Sequence, residues 1–400
     1  MSFDNIIDRN GTASMKWDKY RGQDILPLWV ADMDFAAPDS VLAALHQRID
    51  HGVLGYTNPP DSLVEAVQQY ARRHYQWDIA ADWILWLPGL VQGLNLACRA
   101  AGQAGDAVVT ATPVYPPFLR APGLSNRELI AVPLIESQDG RWEWDFAAFE
   151  AAITPQTKLL LLCHPHNPVG RAWNRDELNT LLGIARKHNL IVCSDEIHCD
   201  LLLDEGLTHL PFATLDAEFT QQTITLYAPS KTWNLPGLGC AFAVIPNAAL
   251  RARFRREMAG LVPSVNLLGY IGAEAAYRDH STWYHELIAT LRINRQLLAD
   301  AFAGSRLRIT FPEATYLAWI DARAIHPTHP LPIFEAHGVG LSDGADFGFP
   351  GWVRINFGCP TATLQQALER LKPLLVGVNE QAKRDATRPK PILMAALFFG

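Results

Sequence analysis

The amino-acid sequence predicts an α/β fold, in which a three-layer large domain with a mostly parallel sheet is joined to a smaller α+β domain. Three observations support this prediction. Short apolar runs alternate with amphipathic helical patterns over the first two thirds of the chain. Polar side chains directly follow several of those runs, as they do at strand ends in covered parallel sheets. From Asn266 onward the pattern changes to a long helical stretch followed by short strands and helices.

The strands of the large sheet are predicted from five apolar runs. These runs cover residues 107–111, 158–163, 190–194, 223–227 and 241–245. Helical spacing of apolar residues marks 61–75, before the first run, and 174–188, between the second and the third. Ser62 with Glu65, and Asn174 with Glu177, have the spacing of a capping box and are expected to open these two helices. Parallel sheets bind ligands at the carboxyl ends of their strands, so the loops after these runs are the expected place for a site.

The smaller domain is predicted from the C-terminal pattern. It consists of a helix over 267–302, strands over 308–311 and 315–320, a short helix over 333–337, a strand over 352–356 and a final helix over 364–375. The resulting organisation has four parts. Residues 1–45 form an N-terminal segment that packs with the small domain or covers the site, 46–270 the large domain, 271–375 the small domain and 376–400 a peripheral tail.

The composition excludes several classes of protein. The 400 residues include 49% hydrophobic and 19% charged side chains, which is too apolar for a disordered chain. The net charge is −7 and there is no basic block, which argues against a nucleic-acid binder. No apolar run approaches the roughly 20 residues that cross a bilayer, and no signal peptide is expected. Six cysteines without a C-x-x-C pair favour reduced thiols in a cytoplasmic protein.

Three loops that follow predicted strands carry the residues with the clearest chemistry. They place the amide of Asn167, the carboxylate of Asp195 and the amine of Lys231 at neighbouring strand ends. A lysine amine forms Schiff bases, and a carboxylate can keep a pyridine nitrogen protonated. Asp195 follows an apolar run and needs a cationic partner if it is buried, although a helix N-cap is the simpler alternative. The group matches what a cofactor bound through a Schiff base requires.

At this point the sequence resembles a known family. It is similar to the fold-type I pyridoxal-phosphate (PLP) enzymes of the aminotransferase class I/II superfamily, and more narrowly to the MalY/PatB group of cystathionine β-lyases. The resemblance covers about residues 10–375 and depends on six blocks in order. These are Leu28-Trp-Val-Ala-Asp-Met-Asp-Phe35, Gly55-Tyr-Thr57, His166-Asn-Pro-Val-Gly-Arg171, Ser194-Asp-Glu-Ile-His198, Ser230-Lys-Thr-Trp-Asn-Leu-Pro-Gly-Leu238 and Val353-Arg-Ile-Asn356.

The resemblance implies a PLP-transferase fold and roles for residues around the cofactor ring. Lys231 would be the Schiff-base lysine and proton carrier, and Asp195 would face the pyridine nitrogen. Asn167 would reach the ring hydroxyl and the substrate carboxylate, with His198 beside that hydroxyl where many relatives carry a tyrosine. Tyr115 would stack on the ring; with Lys231 and Asp195 it completes the expected catalytic set. Core packing is the simpler alternative for His198 and Tyr115.

Further residues are expected at the phosphate and the substrate carboxylate. Backbone groups of Gly89, Leu90 and Val91, at the start of a predicted helix over 92–101, and the hydroxyl of Ser230 would hold the phosphate. Tyr56 resembles the tyrosine that reaches a phosphate across a dimer interface, which implies a homodimer. The superfamily's usual arginine eight residues after the lysine is replaced by Gly239.

Arg354 is the expected clamp for the substrate α-carboxylate. It stands inside the apolar run Val353-Arg-Ile-Asn356, and a guanidinium fork matches a carboxylate with two parallel hydrogen bonds. Among the twelve tryptophans, Trp29 and Trp233 fall within the motifs and are expected to face the site.

The function implied is a PLP-dependent C–S β-lyase of sulfur amino-acid metabolism. It would cleave L-cystathionine, and cysteine or S-alkyl cysteines as further candidates, to a thiol, pyruvate and ammonia. Two alternatives stay open. An aminotransferase would use the same residues, and a regulatory binding protein would use a surface that the sequence does not identify.

A metal site is the alternative reading of the cysteines and histidines near the strand ends. The set comprises Cys163, His164, His166, Cys193, His198 and Cys199. Their positions at strand ends explain them without a metal, and no metal is expected.

Overall fold

The computed structural model describes residues 3–376. Its α-helices are α1 Met15–Asp18, α2 Asp39–Asp50, α3 Asp61–Tyr75, α4 Leu90–Ala101, α5 Pro116–Leu124, α6 Phe146–Ala151, α7 Arg175–Lys187, α8 Ala248–Met258, α9 Leu267–Tyr277, α10 Trp283–Phe302, α11 Leu331–Ala336 and α12 Thr361–Leu375. Its strands are β1 Leu26–Pro27, β2 Ile84–Leu87, β3 Ala107–Thr112, β4 Glu128–Pro133, β5 Ile135–Glu136, β6 Trp142–Glu143, β7 Thr157–Cys163, β8 Ile191–Asp195, β9 Thr223–Tyr227, β10 Ala241–Val244, β11 Arg308–Ile309, β12 Leu317–Asp321, β13 Val339–Gly340, β14 Ser342–Asp343 and β15 Trp352–Asn356. The tail predicted over 376–400 lies, beyond its first residue, outside the described residues.

A seven-stranded sheet forms the centre of the larger part. Its strand order is β2-β10-β9-β8-β7-β3-β4, and β10 runs antiparallel to both of its neighbours. The pairs from β9 to β4 are all parallel, so the prediction of a mostly parallel α/β sheet is confirmed. Because β7, β8 and β9 are adjacent and parallel, the three loops that follow them meet at one edge of the sheet.

The leucines of β7 illustrate why this sheet is covered on both faces. Leu159 and Leu161 pack into one hydrophobic cluster together with side chains of α4, α5 and α8. Leu160 and Leu162 pack into another, together with side chains of α6 and α7. Successive residues of a strand point to opposite faces, so four consecutive leucines are explained only by two apolar faces.

A four-stranded antiparallel sheet lies in the C-terminal part, in the order β11-β12-β15-β14. Strand β15 is one of its two inner strands and carries Arg354, opposite Trp319 of β12 and Ser342 of β14. The N-terminal segment joins this part through the parallel pair of β1 and β13. The domain boundaries drawn from the sequence stay a prediction.

Two expectations about helices are wrong in detail. The helix predicted over 267–302 is two helices, because residues 278–282 form a local turn in which Ser281 donates to Asp279 (2.9 Å) and accepts from the backbone of Trp283 (3.3 Å). Such side-chain bonds compete with the helical ladder. The capping box at Ser62 is also absent, since α3 begins one residue earlier and Ser62 donates to Glu274 (3.0 Å). The box at Asn174 and Glu177 is confirmed.

Candidate active site

A cavity of about 260 Å³ lies at the edge of the large sheet where β7, β8 and β9 end. Except for Tyr56, Trp29 and Trp233, all of the site residues predicted from the sequence line it. These are Gly89, Leu90, Val91, Tyr115, Asn167, Asp195, His198, Ser230, Lys231 and Arg354. The size is close to the lower end of typical small-molecule pockets, about 300 Å³.

Asp195 ends β8 and places its carboxylate at the floor of the cavity. The side chain is buried, and its Oδ1 accepts a hydrogen bond from the backbone N–H of Ile197 at 3.2 Å. Burial raises the pKa of this carboxyl from its ordinary 3.8 to about 7. In the described part of the chain no cation lies within 4 Å of the carboxylate, so the site favours a positively charged or hydrogen-donating ligand here.

Lys231 lies in the turn that follows β9, and its amine reaches across the cavity. Nζ donates a hydrogen bond to the backbone carbonyl of Ala31 in the N-terminal segment. Burial lowers the pKa of Lys231 to about 8, and the positive charge of Arg354 acts in the same direction. About a tenth of this amine is therefore neutral at pH 7, far more than for an ordinary lysine, and can act as a nucleophile or a base.

Arg354 is a buried cation without an anion. Its guanidinium donates to Asn167 Oδ1 (3.0 Å), to the Trp29 carbonyl (2.9 Å) and to Ser342 Oγ (3.2 Å). Its Nε has no hydrogen-bond partner, and burial lowers its pKa to about 10. No carboxylate of the described residues lies within 4 Å of it. A buried charge of this kind is costly unless a partner binds, and a ligand carboxylate is the partner that matches its fork.

His198 also carries an unsatisfied atom. Its Nδ1 is buried and has no hydrogen-bond partner, and its ring meets Tyr316 edge-on at 6.2 Å. Burial, followed by the charges of Lys231 and Arg354, lowers the pKa of this imidazole well below its ordinary value. The ring is therefore neutral and offers one donor and one acceptor to whatever occupies the cavity.

The other end of the cavity is formed by the start of α4. This helix begins at Leu90, and its N-cap residue Gly89 provides no side-chain cap. The first backbone N–H groups of the helix are therefore available to an anion. Gly239 stands opposite with φ +61°, and a Cβ there would lie 3.3 Å from the carbonyl of Pro88. A residue with a side chain would therefore strain the backbone at this position.

The two tyrosines predicted for the site differ in position. Tyr115 precedes α5, lines the cavity, and has its phenol pKa raised by burial. Tyr56 lies outside the cavity, fully exposed, in a segment without helix or strand. Within one chain, the structure therefore brings Tyr115 to the site and leaves Tyr56 on the surface.

The comparison with protein families identifies the chain. The model for aminotransferase class I and II matches residues 23–371. The chain belongs to the aminotransferase class I and II family. Cystathionine beta-lyase PatB from Bacillus subtilis (strain 168) is a relative, 37% identical, with an alignment covering 94% of this chain and 100% of that protein.

Solved structures agree with this membership. The crystal structure of OvoB matches with a TM-score of 0.91 at 45% identity, over 94% of this chain and 100% of that one. Cystalysin from Treponema denticola, whose crystal structure contains a pyridoxal 5′-phosphate cofactor, matches with a TM-score of 0.89 at 35% identity, over 94% and 98%. The fold predicted from the sequence, that of the PLP transferases, is thereby confirmed.

Other sequence interpretations have mixed outcomes. Trp233 does not face the cavity but packs against Tyr70 and Tyr277, with ring centroids 5.6 and 5.3 Å apart, so that expectation is wrong. All six cysteines are buried and unpaired. Among residues 3–376, no group of three or more His, Cys, Asp or Glu side chains is arranged to hold a metal ion. No helix in the same range is both long and apolar enough to cross a membrane.

Sequence reasoning missed several polar residues around the cavity. Lys16, Asn234, Tyr316 and Asn356 all donate to backbone carbonyls of residues 31–35. Asn234 and Asn356 belong to the motifs that carry the family resemblance, which assigns no role to either of them. Lys16 gave no signal, because a lysine in a short polar stretch is typical of a surface position.

The raised pKa of Asp195 predicts a pH dependence of stability in the cofactor-free protein. The unfolded carboxyl has the ordinary pKa of 3.8 and the folded one a pKa of about 7, so the folded state holds more protons between these values. The free energy of unfolding should fall as pH rises from 4 to 7, with Asp195 contributing up to about 1.4 kcal/mol per pH unit. Urea unfolding of the wild type and of Asp195→Asn measures this difference, and identical pH profiles would contradict it.

Proposed function

We propose that this chain is a pyridoxal-phosphate-dependent C–S β-lyase that cleaves L-cystathionine, with cysteine and S-alkyl cysteines as further substrates. One observation carries the proposal. A neutralisable lysine, a carboxylate without a cation and an arginine without an anion face a single cavity. The full-length relationship to cystathionine beta-lyase PatB supports the reaction type.

The residues of the cavity fit the cofactor. Lys231 would hold it through the amine, and Asp195 would pair with the ring nitrogen, which supplies the cation that this carboxylate lacks. Asn167 and the unpartnered His198 Nδ1 would face the ring hydroxyl, and Tyr115 would cover one face of the ring. When bound, pyridoxal 5′-phosphate supplies an electron-withdrawing ring that makes the substrate Cα proton acidic.

The phosphate group would lie at the start of α4. Backbone N–H groups of Leu90 and Val91 and the hydroxyl of Ser230 line this end, and Gly89 leaves the helix end without a side-chain cap. Among the described residues, Lys231 and Arg354 are the lysine and arginine side chains that line the cavity. Both already have other proposed roles, so neither is assigned to the phosphate. The helix dipole and the backbone donors would therefore meet most of the phosphate charge within this subunit.

The substrate would be held by Arg354 and deprotonated by Lys231. Arg354 would bind the α-carboxylate through its fork, with Asn167 Oδ1 keeping the guanidinium in position at 3.0 Å. The substrate amine would replace Lys231 on the cofactor, and the amine of Lys231 released in this way would take the Cα proton, since its pKa of about 8 suits a base near neutral pH. Loss of the thiolate from Cβ and hydrolysis would give thiol, pyruvate and ammonia. Asp195, paired with the ring nitrogen, would remain charged throughout.

A homodimer is the assembly we propose. Four apolar or aromatic side chains between residues 49 and 56 are more than 40% exposed, a pattern typical of a surface that another protein covers. They are Ile49, Val53, Leu54 and Tyr56 itself. In a second subunit, Tyr56 would reach the phosphate end of the first subunit's cavity. The cytoplasmic location and a regulatory protein partner stay hypotheses.

A turnover assay separates lyase from aminotransferase. Purified protein loaded with pyridoxal phosphate and given L-cystathionine without a keto acid should release pyruvate and thiol in equal amounts. The relevant measurements are pyruvate coupled to lactate dehydrogenase and thiol by a colorimetric reagent. If turnover begins only after a keto acid is added, the protein is an aminotransferase and the lyase proposal fails.

Replacing Lys231 tests the proposed attachment point. Lys231→Ala should remove the visible absorbance of the lysine-bound cofactor and reduce lyase turnover by at least about 100-fold, because the base is gone. Lys187→Ala is the matched control, since Lys187 lies on the surface with 68% of its side chain exposed. An unchanged spectrum in the Lys231 variant would refute the assignment.

A mixing experiment tests whether Tyr56 acts across the dimer. Tyr56→Ala should weaken cofactor binding, because a charge-assisted hydrogen bond to the phosphate is lost. Heterodimers formed from Tyr56→Ala and Lys231→Ala chains have one site that contains both native residues, so activity should rise above that of either variant alone. If Tyr56 acted within its own chain, each site would lack one residue and mixing would restore nothing.

A further inference from the structure

The block Leu28-Trp-Val-Ala-Asp-Met-Asp-Phe35 forms an extended strap, residues 28–35, across the cavity. It contains neither helix nor strand, and side chains from distant parts of the chain hold its backbone carbonyls. Arg354 and Ser342 donate to Trp29, Asn356 to Val30 and Asp32, Lys231 and Tyr316 to Ala31, Lys16 to Asp32, and Asn234 to Met33 and Phe35. Val30 and Ala31 themselves line the cavity.

Two of these donors are the groups to which the proposed function assigns the chemistry. The amine of Lys231 bonds to the Ala31 carbonyl, and the guanidinium of Arg354 bonds to the Trp29 carbonyl at 2.9 Å. These carbonyls therefore help to set where the amine and the guanidinium point. Any displacement of the strap would therefore also move the amine of Lys231 and the guanidinium of Arg354.

A group of four charges fixes the strap; Lys16 and Asp34 are buried, and Arg9 and Asp32 are half-buried. Lys16 is fully buried, and its Nζ lies 2.7 Å from Asp34 Oδ2 and 3.2 Å from the Asp32 carbonyl. Arg9 lies 2.6 Å from Asp34 Oδ1 and 2.8 Å from Asp32 Oδ2. The indole N–H of Trp17 donates to Asp34 at 3.0 Å, and that of Trp29 donates back to the carbonyl of Lys16 at 2.9 Å.

Because this network consists of charged groups, it favours a role in positioning the strap over a role in stabilising the fold. Two cations and two carboxylates balance, but taking them out of water costs free energy that an apolar replacement would avoid. Buried ion pairs are best attested where they impose one register on a segment. Here the segment is the strap, whose backbone makes few hydrogen bonds to other backbone groups.

We propose that Lys16 is a positioning residue for the reaction, acting through the strap on Arg354 and Lys231. The two aspartates of the strap then have a defined purpose: Asp32 and Asp34 anchor it to Lys16 and Arg9, while its carbonyls orient the reacting groups. The inference takes the roles of Arg354 and Lys231 from the proposed function.

The test uses holoenzyme carrying Lys16→Met, which keeps the length of the side chain and removes its charge. The dissociation constant of L-alanine, an amino acid without a leaving group at Cβ, is measured from the visible absorbance. The KM and kcat for L-cystathionine are measured alongside. We expect the L-alanine dissociation constant and the KM to rise about 10- to 100-fold, with the cofactor band retained and faster hydrogen exchange of amides in residues 28–35.

Arg295→Met is the matched control. Arg295 is also a buried cation paired with a carboxylate, that of Asp204, but it makes no contact with the strap. It should lower the melting temperature comparably and leave the L-alanine dissociation constant within about twofold of wild type. Equal L-alanine binding in the Lys16 and Arg295 variants would overturn the positioning role.

A second variant covers the case in which Lys16→Met does not fold. Asp32→Asn keeps the shape of the strap and weakens its ties to Arg9, and it should raise the L-alanine dissociation constant in the same direction. If Asp32→Asn folds and binds L-alanine as the wild type does, the proposal is wrong. Failure of the proposed function is seen separately, as absence of turnover in the wild type, and the exchange rates of the strap are measured independently of it.

Discussion

The structure depends on the cost of keeping charged groups out of water at one edge of the large sheet. Asp195 and Arg354 are buried and Lys231 is half-buried around a single cavity, and the pKa of each is shifted in the direction that favours its neutral form. A protein that buried these groups for stability alone would pair them. The structure instead leaves the carboxylate without a cation and the guanidinium without an anion, so their desolvation is offset only when ligands bind. The same arrangement favours a ligand that carries a cation or hydrogen-bond donor at one end and a carboxylate at the other.

Residues from both sheets form the site. The distances between its charged groups therefore depend on how the two sheets are placed relative to each other. Arg354 on β15 reaches Asn167 in the loop after β7. The same loop is fixed against the C-terminal part at Gly170, which has φ +75°; a Cβ there would lie 2.3 Å from Pro312 Cβ. Any other residue at Gly170 would push the sheets apart. Next to Gly170 and Pro312, Arg171 and Glu313 form an ion pair at 3.1 Å that also joins the loop to the C-terminal part.

Local features of the sequence predicted local features of the structure. The alternation of apolar runs and helical patterns identified the strands of the large sheet, because burial on both faces leaves a visible run such as 159–162. The residues after those runs were identified as site residues for the same reason, since parallel strands end at one edge. Errors arose where a weak local competitor decided the outcome, as at Ser281, whose hydrogen bonds lie in the turn that divides the single predicted helix into two.

The sequence by itself determined the fold class, the family and ten of the 21 residues that line the cavity, because each of these ten belongs to a short motif whose spacing is set by one strand and one turn. Only the tertiary structure decided what holds those residues in place. Lys16 and Asp34 are 18 residues apart, and Arg354 lies 325 residues from the Trp29 carbonyl that it contacts. No local pattern distinguishes a lysine that is fully buried against two aspartates from one on the surface. Burial is a property of the folded chain, and here it gives the aspartates of the strap their structural role.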